Sequence, residues 1–248
     1  MERNMMGAQE GVMVEDIDVA RLLPGEIRDV IEEIALKHQK LPVEPSMDKE
    51  TGAIKAEQAG ATVDVEKTLA KIMASPPGQI NEVEIVWINP RYSKQDLINA
   101  RTAIGSYSTW FHGSPARYEN IATALKSINN TVVWPGEEFS FNETTGPRTA
   151  ERGYLPAPII LNGGFDMDYG GGVCQVASTV YNAALTAGMS VIERHRHTKP
   201  VHYVPEGKDA TVSYGDLDLR FQNNRNGPVI MKTSIYNGRI YVELKGEK

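Results

Sequence analysis

Apolar side chains recur at helical spacing in four stretches of this chain, and each predicts a helix with one buried face. Ile27, Val30, Ile31, Ile34 and Ala35 follow the Pro24-Gly25 turn. Val65, Leu69 and Ile72 follow Asp64, a good N-cap, and end at Ser75-Pro76-Pro77-Gly78. Ile121, Ala124, Leu125 and Ile128 lie within Arg117 to Ile128, closed by Asn129-Asn130. Val173, Ala177, Val180 and Ala184 form the fourth stripe, ending at Gly188, with Cys174, Ser178 and Tyr181 on the neighbouring stripe. Elsewhere the period is two. Glu82 to Ile88 alternates polar and apolar, which predicts a strand with one wet face. Strand composition also marks Thr131–Trp134, Glu138–Asn142, Ser190–Glu193, Val201–Val204, Ala210–Tyr214, Leu217–Gln222, Val229–Ile235 and Arg239–Leu244. Asn237-Gly238 joins the last two as a hairpin, and Asn162-Gly163-Gly164 is a further turn signal. An extended, hairpin-like stretch is expected around Gly52 to Gly60.

The pattern gives an α+β fold with a joint in Pro90 to Ala100, where Ser93-Lys94-Gln95-Asp96 opens a helix. Residues 1–92 are expected to form a small binding or spacer module. Residues 93–248 are expected to form a larger α+β domain with the Cys174 helix and an antiparallel sheet. The 248 residues are 41% hydrophobic and 23% charged, ordinary for a soluble globular protein. A net charge of −6 argues against nucleic-acid binding. One cysteine excludes an intrachain disulfide. No apolar run approaches the roughly 20 residues of a membrane span, and the amino end lacks a signal peptide's apolar core. The chain is therefore expected to be cytoplasmic or to lie downstream of an anchor.

The chemistry concentrates at Cys174. Gly170 to Gly172 run straight into it, and it falls in the first turn of its helix, where the macrodipole favours a thiolate. Gly171 and Gly172 let backbone amides converge on an anion, and Gln175 is placed to polarise a carbonyl. A thiol nucleophile needs a histidine to carry the proton and a third group to orient it. His195, His197 and His202 are the choices for the base. Asp209 is preferred as orienter over Asp218 and Asp216. A cysteine helix followed by a sheet with histidine and aspartate is also the order of papain-like and transglutaminase-like folds. Arg117, Arg148, Arg152 and Arg194, near glycine-rich turns, suit bidentate carboxylate recognition, and Trp110 and Trp134 suit stacking on sugar rings. Two alternatives stand beside this reading. A lone cysteine is often a small buried hydrophobe, and Cys174 with His195 and His197 would make a three-ligand zinc site of unfamiliar spacing.

WFHGSPARYENIATALKSINNTVVWPGEEFSFN (Trp110 to Asn142), GPRT at Gly146, GGGVCQVASTVYNAAL, ERHRHTKPVHYVP (Glu193 to Pro205) and KDATVSYGDLDLRFQN resemble, in this order, the VanW family over about residues 102 to 235. The preceding segment resembles the peptidoglycan-binding module found before such domains. The resemblance implies a link to vancomycin-resistance clusters and Gram-positive cell surfaces, hence an extracytoplasmic, wall-facing protein. It would act on or bind peptidoglycan peptide stems, with no nucleic-acid partner, no cofactor and no metal. Family members commonly have an amino-terminal membrane anchor, so membrane contact is expected only through an anchor outside this sequence. The preferred site is Cys174, His197 and Asp209 as catalytic groups, with Gly171, Gly172, Gln175, Arg148 and Arg194 binding substrate. The alternative is a wall-binding protein in which Cys174 is structural.

Overall fold

A computed structural model of the chain describes residues 6–161 and 164–247. They form two compact units, one from residues up to 45 together with 56–93, the other from 46–55 together with residues from 94 onward.

In the first unit, helix Pro24–His38 starts where the Glu26 carboxylate reaches back to the Leu23 amide at 2.8 Å, and it buries Ile27, Ile31 and Ile34. Helix Val65–Met73 starts at Asp64, whose side chain accepts from the Lys67 amide at 3.0 Å, and buries Leu69 and Ile72. Both helices close on Val12, Val14, Val19 and Val63. Short ladders complete the unit: Met13–Val14 pairs antiparallel with Ile17–Asp18 and parallel with Ile80–Asn81, and Gly60–Val63 pairs antiparallel with Ile85–Ile88. The expected wet and dry alternation over 82–88 does not occur. The strand starts at Ile85, and Ile85, Val86, Trp87 and Ile88 are all exposed, because a two-stranded ladder has no second layer to dry one face.

The second unit is built on a four-stranded antiparallel sheet in the order Thr102–Trp110, Arg239–Gly246, Val229–Tyr236, Val132–Val133. Asn237 and Gly238, both at positive φ, make the hairpin between the two long strands. A second antiparallel sheet places Arg220–Gln222 between Glu138–Ser140 and Ser190–Glu193. Helix Pro115–Ile128 begins at Ser114, whose hydroxyl accepts from the Arg117 amide at 3.3 Å, and buries Ile121, Ala124, Leu125 and Ile128. Helix Val173–Thr186 lies with it in one core that includes Phe139, Phe141, Tyr154, Phe221 and Val242. This helix packs on strand Thr102–Trp110 at Gly105, where any Cβ would sit 2.4 Å from the Ala187 nitrogen.

Several strand expectations give way here. Val201–Val204 is not a strand, and Ala210–Leu219 is largely irregular, held by isolated bridges His195 to Thr211 and Ser213 to Leu217. Residues 141–145 turn into a short helix, because the Ser140 hydroxyl accepts from the Glu143 amide at 3.0 Å and stops the strand. Strand Thr102–Trp110 was not anticipated. The hairpin expected around 52–60 lies earlier, Ser46–Met47 with Ile54–Lys55. The two strands flanking Asn162-Gly163-Gly164 pair antiparallel, and the turn signal at Asn162-Gly163 itself lies outside the described residues.

Candidate active site

The stripe of the Val173–Thr186 helix that carries Cys174 faces the chain returning through 208–212. The Ser178 hydroxyl accepts from the Ala210 amide at 2.8 Å, and Asn182 donates to the Lys208 carbonyl at 2.7 Å. One turn earlier, the half-buried Cys174 meets the same segment. The Val212 amide donates to Sγ at 3.5 Å, Sγ lies 3.5 Å from the Val212 carbonyl, and the Thr211 hydroxyl is 3.6 Å away. Helix residues four apart thus clasp Lys208, Ala210 and the Thr211–Val212 pair of one returning segment.

The glycine run explains how the helix start gets there. Gly170 and Gly172 have φ of +86° and +109°, the left-handed region, and a Cβ on Gly171 would lie 2.7 Å from the Pro158 carbonyl oxygen. The Val173 amide donates to Gly170 O and the Gln175 amide to Gly172 O. The Cys174 amide between them has no acceptor among the described residues, as the first turn of a helix dictates.

The His197 side chain is nearly buried, and its Nδ1 is taken by Asp209. Asp209 Oδ2 accepts from both the His197 amide and Nδ1, each at 2.7 Å. Arg194 in turn fixes Asp209: Nε donates to the Asp209 carbonyl at 2.7 Å, one terminal nitrogen reaches Oδ1 at 3.2 Å and Gly207 O at 2.8 Å, and the guanidinium lies over the Tyr181 ring. Burial pushes the Cys174 thiol up, but the nearby His197, the Val212 amide and the Thr211 hydroxyl together outweigh burial, and the thiol sits below its ordinary range. Burial pushes His197 down, and the thiolate and Asp209 outweigh that, so the imidazole is held above its usual value. Burial likewise opposes ionisation of Asp209, and the His197 and Arg194 contacts keep it more acidic than usual. All three directions favour one state: thiolate, imidazolium, carboxylate.

The sequence-chosen Cys174, His197 and Asp209 therefore meet, and other choices do not. His195 turns to Glu193 at 2.8 Å, and His202 is exposed. Asp218 caps the Ser140–Asn142 corner, accepting from the Asn142 amide at 2.9 Å, and Asp216 is exposed. Among the described residues no cluster of three His, Cys, Asp or Glu side chains is placed to hold a metal, and the zinc reading loses His195. Gln175 does not reach for a carbonyl of a substrate. It is buried, its amide nitrogen donates to Thr109 Oγ1 and Trp110 O, and its oxygen accepts from Arg117 at 2.7 Å. Arg194 is committed to Asp209 and is a positioning residue. Trp134 is buried, whereas Trp110 is 54% exposed and lies under the Arg239 guanidinium. A concavity of about 940 Å³ on the four-stranded sheet, lined by Ser108, Lys232, Arg239 and Tyr241 among others, holds none of the Cys174 group. The chemistry decides the site here, not the volume. Thr211, Val212 and Ser178 escaped the sequence reading as partners of Cys174, although Ser178 on the cysteine stripe was a usable signal.

Comparison with known proteins agrees with the motifs. The family described as VanW like protein matches residues 116–245. Uncharacterized protein YoaR of Bacillus subtilis is 42% identical over 182 residues, 73% of this chain and 60% of YoaR. Vancomycin B-type resistance protein VanW of Enterococcus faecalis is 30% identical over 112 residues, 42% of this chain and 40% of that protein. The chain spans less than two thirds of the length of either relative. No solved structure matches it significantly.

Proposed function

The chain belongs to the VanW-like protein family, and from that premise we propose that it is a cell-envelope protein acting on peptidoglycan peptide stems as a cysteine-dependent acyl hydrolase or transferase. The observation that carries this reading is the Cys174–His197–Asp209 alignment, with each ionisation pushed toward the reactive state. Cys174 Sγ attacks an amide carbonyl, and the His197 proton passes to the leaving amine as the C–N bond breaks. The thioester left on Cys174 is then taken by water or by a second amine, with His197 accepting that nucleophile's proton. Asp209 holds the ring throughout, and the Cys174 amide is a donor for the oxyanion.

The wall location rests on the name of the Enterococcus relative, a vancomycin resistance protein, and on the resemblance of residues 1–92 to a peptidoglycan-binding module. Among the described residues no helix is long and apolar enough to cross a membrane. The same reading assigns no cofactor and no nucleic-acid partner.

The test is incubation of the protein with purified muropeptides, read by mass spectrometry. New cleaved or cross-linked products that vanish with Cys174→Ser, while the variant keeps its fold, support the reading. The bonds from Val212 and Thr211 to Sγ favour a second reading, a structural thiol in a wall-binding protein. Reaction with iodoacetamide only after denaturation would establish it.

A further inference from the structure

Two arginines stand against the glycine run. A Cβ on Gly170 would meet the Arg148 Cγ at 2.8 Å, and one on Gly172 would meet the Arg117 Cγ at 3.1 Å. Both stems therefore press on the backbone that delivers Cys174. Neither guanidinium has an acidic partner among the described residues. Arg117 donates to Gln175 Oε1 at 2.7 Å. Arg148 donates to Gly146 O at 3.0 Å and Asn142 Oδ1 at 2.7 Å, its guanidinium near the rings of Phe141 and Tyr214. All these acceptors are neutral.

The charges of the site do not cancel. Thiolate and imidazolium form one neutral pair, and Asp209 with Arg194 forms another. Arg117 and Arg148 remain as two largely desolvated positive charges; the one further carboxylate that acts on them, Asp218, reaches Arg148 only at a distance and is bonded to Ser140 and the Asn142 amide, so a net positive charge is left beside the thiol. A desolvated cation without an acid is costly unless a ligand supplies the anion. A further unanswered donor is close by: the Tyr154 hydroxyl is fully buried, has no partner among the described residues, and feels the charge of Arg148.

We propose that Arg117 and Arg148 form a carboxylate-binding pocket beside Cys174, so that the substrate is a peptide with a free carboxylate next to the bond attacked. This rests on Cys174 as the nucleophile and narrows its substrate to chain ends over internal, uncharged amides. Planar guanidinium forks suit a carboxylate, and two of them fix its direction relative to Sγ.

Two alkylating probes separate the claims. Iodoacetamide is neutral and reports whether the folded thiol is reactive; iodoacetate carries the carboxylate. In wild type, iodoacetate should gain on iodoacetamide by about tenfold relative to the ratio for a free thiol in solution. Arg148→Gln and Arg117→Gln should return the ratio toward the solution value, each variant's own iodoacetamide rate serving as the reference for any change in thiol reactivity, and Arg148→Lys should keep part of the preference. A ratio that stays put in both Gln variants, each shown folded by circular dichroism, overturns the pocket and leaves the nucleophile standing. Should the thiol resist both reagents, the nucleophile reading fails, and Cys174→Ser tests the pocket by calorimetry. N-acetyl-dialanine should then bind more tightly than its carboxamide, and the contrast should vanish with Arg148→Gln added. Equal binding of acid and amide overturns the pocket.

Discussion

Asp209 grips His197 through one oxygen: Oδ2 accepts both the backbone amide and Nδ1 of the same residue, each at 2.7 Å. The double attachment fixes the backbone and the ring together, so the imidazole cannot rotate without losing a charge-assisted bond. It also fixes the tautomer, since Nδ1 carries its proton toward Asp209 and Nε2 is left for the thiol.

Asp209→Asn keeps the shape but loses the charge. We expect activity to fall by about 10³- to 10⁴-fold, the scale seen when the orienting carboxylate of a catalytic triad is neutralised. The iodoacetamide pH profile should also move its midpoint upward, because the imidazolium that lowers the thiol is less stable. An unchanged midpoint would show that Asp209 only supports the fold.

The pH window follows from the directions of shift. Cys174 is depressed and His197 raised, so the thiolate–imidazolium pair exists between them. The midpoint of alkylation against pH should lie below the ordinary thiol value of about 8.5. Turnover should be bell-shaped, with an acid limb as the thiolate is protonated and an alkaline limb as His197 loses its proton, above its ordinary value of about 6.5.

Stability has opposing signs from the same groups. Asp209 is depressed, so its contribution is present above about pH 3.9, its unfolded value, and is lost as pH falls through the folded value. His197 is raised, so its contribution is complete below about pH 6.5 and is lost as pH rises through the folded value. Urea midpoints measured against pH should therefore fall on the acid side in wild type. With Asp209→Asn that acid-side fall should flatten.

Gly105→Ala tests how the helix is seated. Its Cβ would lie 2.4 Å from Ala187 N and 2.7 Å from Ala183 O, and backbone cannot yield cheaply. Overpacking of this kind costs about 1–3 kcal/mol, occasionally more. Gly25→Ala is the control, because nothing lies within 4 Å of a Cβ there; as Gly25 is in helix Pro24–His38, it should be neutral or slightly stabilising. Equal urea midpoints for the two variants would refute the close approach.

The helices and the position of Cys174 at a helix start were legible in the sequence because those signals are local, whereas His197 was singled out only by the resemblance to the family motif. Period 3.6 marked Val173 to Ala184, and the glycine run pointed to Cys174. What it did not carry depends on distant partners. Thr102–Trp110 has serine and threonine on its outer face and Gly105 within it, and only its neighbour Arg239–Gly246 makes it a strand. Residues 210–219 have strand composition, yet their backbone groups are taken by side chains. The Ala210 amide goes to Ser178, and the Ser213 and Leu217 carbonyls accept from Asn142. Arg194 was read as a substrate ligand because nothing local reveals that Asp209, fifteen residues on, would claim it.

Ser178→Ala asks whether the returning segment is clamped for the chemistry or merely packed. The hydroxyl is buried and accepts from the Ala210 amide at 2.8 Å, with its own proton shared between the Cys174 carbonyl at 2.8 Å and Ala210 O at 3.1 Å. Alanine leaves a buried N–H unanswered, a loss of about 1–3 kcal/mol. Ala210 lies between Asp209 and the Thr211–Val212 pair that touches Sγ, so slack at this position reaches both ends of the triad. We therefore expect thiol alkylation at neutral pH to slow several-fold in the folded variant, with its pH midpoint displaced upward. Stability loss without any change in thiol reactivity would show that the clasp holds the fold alone, and that Asp209 and Val212 keep their places without it.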